Sequence, residues 1–293
     1  MDNFYVTLPS SVRSTYFTNT LADYVTHLPR AIELDGAWEV ALVELSFTKS
    51  WYNVNTPQEV GIRINVPGSR SYIKDLRILP GRYSIADLIL NVNTMLAAHS
   101  NEYDEVPIAG TETKERVKRI IRELNSRSII SAPYITVNKV KRKAVVTFGL
   151  DSKGSLVIPV MGDELRGLLG FSLDDEKDIM PDPTDVHRRI TKETERAYDI
   201  EAGIYAVYIY SDIVKPNLIG DTSARCLRVV SIPSERSFGE NCSMAFVNPS
   251  YLEVSNRRFK NIHVTLKDKT NENIPFQFGE TLLKLHFRKK YAV

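Results

Sequence analysis

Residues 37–47 read Ala37-Trp38-Glu39-Val40-Ala41-Leu42-Val43-Glu44-Leu45-Ser46-Phe47. Alternate side chains of a strand share a face. The stretch therefore sorts into Trp38, Val40 and Leu42 on one side and Ala41, Val43, Leu45 and Phe47 on the other. Both sides are largely apolar, which predicts a strand covered on both faces, as in a sandwich or an assembled layer. The same period of two recurs outward along the chain. Ile62, Ile64 and Val66 share one side of residues 61–66. In residues 203–211, Ile204, Ala206, Tyr208 and Tyr210 oppose Tyr205, Val207 and Ile209. Residues 226–232, 262–266 and 281–287 add three further strands. Asp35-Gly36, Pro67-Gly68, Lys215-Pro216-Asn217 and Asn248-Pro249-Ser250 punctuate them. Many short strands parted by such residues predict a mainly β sandwich or barrel.

The middle of the chain changes period. Ser84-Ile85-Ala86-Asp87 has the form of a capping box, with Asp in place of Glu. Behind it Ile85, Leu88, Ile89, Val92 and Leu96 recur at helical spacing. Val117, Ile120, Ile121 and Leu124 mark a second amphipathic helix over 113–126. Residues 134–137 and 144–150 predict a β-hairpin around the basic turn 139–143. Residues 163–169 predict a short helix with Asp163 as N-cap and Gly170 just past its end. The expected organisation is a β domain in two parts, 1–69 and 198–293. An α+β domain, 70–175, is inserted between them, and 176–197 forms an exposed linker.

A chain of 293 residues with 43% hydrophobic content can build a sizeable core. Lys and Arg number 38 against 36 Asp and Glu, a net charge of +2, which argues against a protein that coats polyanions. Two cysteines, Cys226 and Cys242, are too few for a disulfide framework or a four-ligand zinc site. The N-terminal residues lack a basic segment followed by an apolar one, so no signal peptide is expected, and no apolar run is long enough for a membrane-spanning helix.

The chemical motifs are sparse. No phosphate-cradling glycine loop, no H-E-x-x-H and no G-x-S-x-G occurs. His263 and His286 lie on C-terminal strands that could pair, but no H-x-H places two ligands on one strand face. Cys226, among Leu227, Val229 and Val230, reads as a buried structural thiol. Glu33 with Asp35, or Glu39 with Glu44, read as solvated or ion-paired carboxylates. The basic clusters are Lys139, Lys141, Arg142 and Lys143; Arg188, Arg189 and Lys192; and Arg288, Lys289 and Lys290. Each reads as a solvated face or as strand-edge protection, and phosphate contact with packaged DNA, without base readout, is the other possibility. Trp51 and Tyr52 follow the decisive strand. Such a pair either folds over the end of its own sandwich or meets another subunit. The candidate subunit-contact residues are therefore Trp51, Tyr52, Tyr208 and Tyr210. No catalytic residue, cofactor or metal site is expected.

Three blocks carry a family resemblance. They are Phe4-Tyr5-Val6-Thr7-Leu8-Pro9-Ser10, the stretch Leu28-Pro29-Arg30-Ala31-Ile32-Glu33 leading through Asp35-Gly36 to Glu44, and Ile274-Pro275-Phe276-Gln277-Phe278-Gly279 with Leu285-His286-Phe287-Arg288. Leu79-Pro80-Gly81-Arg82-Tyr83-Ser84, Leu168-Leu169-Gly170-Phe171 and Gly220-Asp221-Thr222 fit the same pattern. Together they resemble the penton, or minor capsid, proteins of Polinton (Maverick) virus-like DNA transposons. The resemblance implies a single jelly roll with an inserted α+β domain. It also implies a non-enzymatic role in the virion as a homopentamer at the fivefold vertices of an icosahedral capsid, beside a double jelly-roll major capsid protein. A chain of this length has no room for two jelly rolls and the middle module, which favours the penton over the major capsid protein. Residues 1–20 and 288–293 are candidate arms between neighbours. The rival readings are a capsid cement or attachment protein with a lectin-like ligand-binding jelly roll, and a cupin-like metal protein using His263 or His286.

Overall fold

The computed structural model describes residues 2–12, 17–64, 71–98, 129–172, 191–233 and 235–290. The chain divides into two units, Met1–Tyr52 with Ile204–Val293, and Asn53–Gly203. The first unit opens with β1 (Asn3–Pro9), β2 (Asp23–Glu33) and β3 (Trp38–Thr48). The second carries β4 (Gln58–Ile64), β5 (Ser71–Ile78), α1 (Ile85–Ala98), β6 (Ile129–Ser131), β7 (Tyr134–Asn138), β8 (Lys143–Thr147), β9 (Gly149–Asp151), β10 (Leu156–Met161), α2 (Asp163–Leu169) and β11 (Thr191–Glu193). The chain then returns to the first unit through β12 (Ala206–Ser211), the hairpin β13 (Asn217–Ile219) and β14 (Thr222–Ala224), β15 (Cys226–Ser231), β16 (Asn241–Ala245), β17 (Leu252–Glu253), β18 (Arg258–Lys267) and β19 (Thr281–Lys289).

In the first unit one sheet runs β1-β19-β3-β16, with β17 also on β3, and the other runs β15-β12-β18-β2. Every pairing is antiparallel. Successive long strands cross from one sheet to the other, except that β12 leads to β15 within one sheet. Eight strands in this order form a single jelly roll. Residues 53–203 are spliced between its third strand, β3, and its fourth, β12. The inner faces meet in one apolar core that includes Leu8, Tyr24, Val207, Ile209, Val264, Leu266, Leu283, Leu285 and Phe287. The Tyr24 hydroxyl, fully buried, donates across that core to the Leu8 carbonyl at 3.2 Å and so ties β2 to β1 of the facing sheet.

The decisive strand turns out to be covered differently from the expectation. Val40 and Leu42 point into the core, and so do Leu45 and Phe47, although the two pairs are out of phase. The reason is a β-bulge. Leu285 pairs with Leu42 but Lys284 pairs with Glu44, so Val43 is an extra residue that flips the phase of the strand. A single core face with one bulge therefore looks, by alternation alone, like two apolar faces. The arms expected at 1–20 and 288–293 are partly strand, because Asn3–Pro9 pairs with β19 of its own chain and β19 continues to Lys289.

The second unit is wider than the expected 70–175. Gln58–Ile64, assigned by alternation to the jelly roll, pairs instead with β5 and β10. Thr191–Glu193, within the expected linker, pairs with β8. Local periodicity marks a strand but not the sheet that takes it. The unit has one sheet ordered β5-β4-β10-β9-β6 and another ordered β11-β8-β7, with a core of its own. On α1, Leu88, Val92 and Leu96 are buried, and the Asp87 amide donates to the Ser84 hydroxyl. Asn93 of α1 accepts from the Ile135 amide at 2.7 Å and donates to its carbonyl at 2.8 Å, closing the edge of β7 as another strand would. For α2 the N-cap is Gly162 rather than Asp163, and no side chain of that residue is available to cap. Glu164 of α2 accepts from the amides of Asn55 and Thr56 and from the side chains of Asn55, Thr56 and Gln58, which pins the loop before β4. Gly170 ends α2 at φ 89°, a conformation that favours glycine. The helix expected over 113–126 lies outside the described residues.

Candidate functional site

The four candidate contact residues fall in two places within the jelly roll. Trp51 is not a contact residue in the sense expected: its indole is 1% exposed, set edge-on to Phe276 at 5.7 Å and beside Phe47 in the sandwich core. β3 ends at Thr48 and Trp51 forms an antiparallel bridge with Phe276, so the ring packs into its own sandwich. Its Nε1–H finds no hydrogen-bond partner among the described residues. Tyr52 stays half-buried and lies 6.1 Å from Phe238, which meets Phe278 edge-on at 5.6 Å. Phe238 and Phe278 are exposed and extend the Tyr52 aromatic patch. Neither stands out by periodicity, because both lie in turns. The loops beneath them are fixed by the Ser50 hydroxyl donating to the Phe278 carbonyl and by the Lys49 ammonium donating to the Arg236 carbonyl.

Tyr208 and Tyr210 lie on the outer face of β12, because Val207, Ile209 and Ser211 take the inner one. β12 is a middle strand, and Tyr208 sits between Val229 of β15 and Lys267 of β18. Val229 is exposed, as is Tyr205 just ahead of the strand. Loss of hydration, then the nearby Cys226 and Tyr208, push the Tyr210 hydroxyl above its ordinary pKa, so it stays neutral.

The two strand histidines do not pair. β18 and β19 belong to opposite sheets, because the jelly-roll connection between them crosses the sandwich. His263 Nε2 is 2.6 Å from Asp23 Oδ1, and the His263 backbone amide donates to Asp212. His286 stacks on Tyr5 at 4.5 Å, and its Nδ1 is 2.7 Å from the Tyr251 hydroxyl. Partial burial, then the Arg288 guanidinium, hold its pKa below the ordinary value. Among the described residues no three His, Cys, Asp or Glu side chains cluster in a way that could hold a metal ion. Cys226 and Cys242 are buried, and burial pushes both thiols up, away from reactive thiolates.

Three of the four carboxylates considered earlier are ion-paired. Glu39 takes Arg288, Glu44 takes Lys284, and Glu33 takes Arg258. The basic turns are partly compensated as well. Lys141 pairs with Glu193, whose pKa is lowered chiefly by that hydrogen bond, and Arg142 lies over the Tyr198 ring. Lys192 is in β11, while Arg188 and Arg189 lie outside the described residues. Among the described residues no helix is long and apolar enough to cross a membrane.

No protein-family model matches the chain, and no curated protein matches it. Two solved structures are similar over nearly the whole length. The selenomethionine-labelled mavirus penton protein is 14% identical with a TM-score of 0.49, covering 99% of this chain and 100% of that one. A chain of the Sputnik virophage is 12% identical with a TM-score of 0.42, at the same coverage. At these identities and scores neither likeness bears on what this chain does.

Proposed function

We propose that the chain is a structural capsid protein of the vertex, or penton, class: five copies close into a ring that caps a fivefold vertex of a virion. The observation that carries this reading is the strand order. One complete eight-stranded jelly roll is built from residues 3–48 and 206–289, with a second unit spliced between its third and fourth strands. The three main sequence blocks that resemble Polinton penton proteins fall on this frame, while residues 79–84 and 168–171 lie in the second unit. Phe4–Ser10 spans β1, residues 28–44 span the end of β2 and most of β3, and 285–288 lie in β19.

Ring closure is a head-to-tail contact, so each protomer must present two different flanks. The Tyr52–Phe238–Phe278 patch and the outer face of β12, with Tyr208 and Tyr210, supply two aromatic surfaces of the kind enriched in interface cores. In this role the chain is non-enzymatic and takes no cofactor. Its neighbours are further copies of itself and a double jelly-roll major capsid protein, and any contact of the basic turns with packaged DNA is non-specific. The test is co-expression with the major capsid protein of the same element, followed by electron microscopy of the particles. Density for this chain at the fivefold vertices is the expected result; density between capsomers, or none on the particle, refutes the vertex assignment.

A further inference from the structure

At one end of the jelly roll, the β2–β3 turn, the residues after β17 and the end of β19 enclose a cleft of about 250 Å³. That is smaller than the roughly 300–1,000 Å³ of sites for drug-sized ligands, and suits one or two inserted side chains. Leu34, Trp38 and Val254 give it apolar walls, and Lys215, Arg257 and Lys290 bring cations to it. Lys289 lies alongside, against Gly36. Only Glu253 among the lining residues is acidic, and it is shared: Lys215 reaches one of its oxygens at 2.8 Å and Lys290 the other at 3.2 Å. Arg257 and Lys289 have no carboxylate partner among the described residues. With Lys289, four cations stand against the one carboxylate of the lining.

We infer that this cleft docks an acidic protein segment, in which an apolar side chain packs against the wall formed by Trp38 and Val254 while flanking carboxylates meet Arg257 and Lys289. Charge complementarity selects the occupant. A nucleic-acid site would need far more uncompensated cations, since binding grows with the number of phosphates neutralised, commonly about 6–10. It would also need no apolar slot. The inference goes beyond ring formation and does not depend on it.

The test uses the full chain and two probes. One is a fluorescein-labelled ten-residue peptide of alternating Asp and Leu, and the other is a labelled 20-nucleotide single-stranded DNA; both are read by anisotropy at 50 and 300 mM salt. The expected result is saturable peptide binding that weakens with salt and falls about tenfold in Arg257→Glu/Lys289→Glu. Lys267→Glu/Lys269→Glu, the same charge change at the opposite end of β18, leaves it unaltered. Arg257→Gln/Lys289→Gln, which adds no charge to the surface, falls in the same direction. The inference is overturned if the peptide does not bind, if Lys267→Glu/Lys269→Glu weakens it equally, or if the DNA binds more tightly and displaces it. The mass of the protein in solution, measured on the same samples, reports ring formation separately.

Discussion

The bulge at Val43 makes a sharp prediction about β3. Val43 is the residue with no opposite number on β19, so deleting it brings Leu42 and Glu44 into regular register with Leu285 and Lys284. Alternation is then continuous: Val40, Leu42, Leu45 and Phe47 all keep their inward positions. The losses are the bond from the Phe246 amide to the Val43 carbonyl, at 2.8 Å, and a half-buried side chain. Together these amount to about 1–2 kcal/mol. Deleting Ser46, three residues on, has no such escape. Either Phe47, which is fully buried, leaves the core, or the bulge straightens and carries Glu44 inward. Removing a buried Phe side chain costs about 3–5 kcal/mol. Trp38 and Trp51, the two tryptophans of the chain, both belong to the jelly roll, so tryptophan fluorescence in urea follows this unit. The Ser46 deletion is expected to lower stability by about 1–4 kcal/mol more than the Val43 deletion. Equal losses, or a larger loss for Val43, would refute the bulge as the cause of the double-faced pattern.

Further outcomes are expected elsewhere. Gly279 has φ 105° and an added Cβ would overlap the Thr48 side chain, so Gly279→Ala should cost about 2–4 kcal/mol in the same urea titration; an unchanged midpoint contradicts this. Glu164→Ala should strip protection from the Asn55 and Thr56 amides in hydrogen exchange, because their acceptor is gone; retained protection would show another anchor. His286 is held below its ordinary pKa of 6.5, so the fold favours the neutral ring. Its contribution is complete above pH 6.5 and is lost as the pH falls from there towards the folded-state value. His286→Asn should flatten the decline of Tm in that window, and an unaltered decline assigns it to other groups. Tyr208→Glu places a charge on the outer face of β12 and should shift the ring towards smaller species in light scattering; no change removes that face from the contact.

Much of the jelly roll is legible in the sequence, because one-sided burial writes itself as alternation. The strand expected over 281–287 lies within β19 for that reason, and that expected over 203–211 is strand from Ala206 onward. Alternation fails where the backbone steps out of phase, as at Val43, and where a strand is recruited by a distant partner. Residues 58–64 look the same whether β19 or β10 lies beside them, and only the fold decides. The two histidines illustrate the same limit, since neighbours in sequence, β18 and β19, are separated by the full sandwich. For Trp51 the sequence favours the core over a contact, and its burial against Phe47 and Phe276 agrees with that side of the choice. Phe238 is a single aromatic in a turn, and Phe278, although part of a resemblance block, carries no mark of a contact; the two meet only in the fold. The cationic cleft was visible in part as Arg288-Lys289-Lys290, but its apolar walls and Arg257 come from other loops.

The vertex-ring account rests most directly on the mass of the purified chain, measured by light scattering across a concentration series. The account predicts a discrete species near five times 33.2 kDa, about 166 kDa, that persists on dilution. A species of 33.2 kDa at every concentration would contradict it.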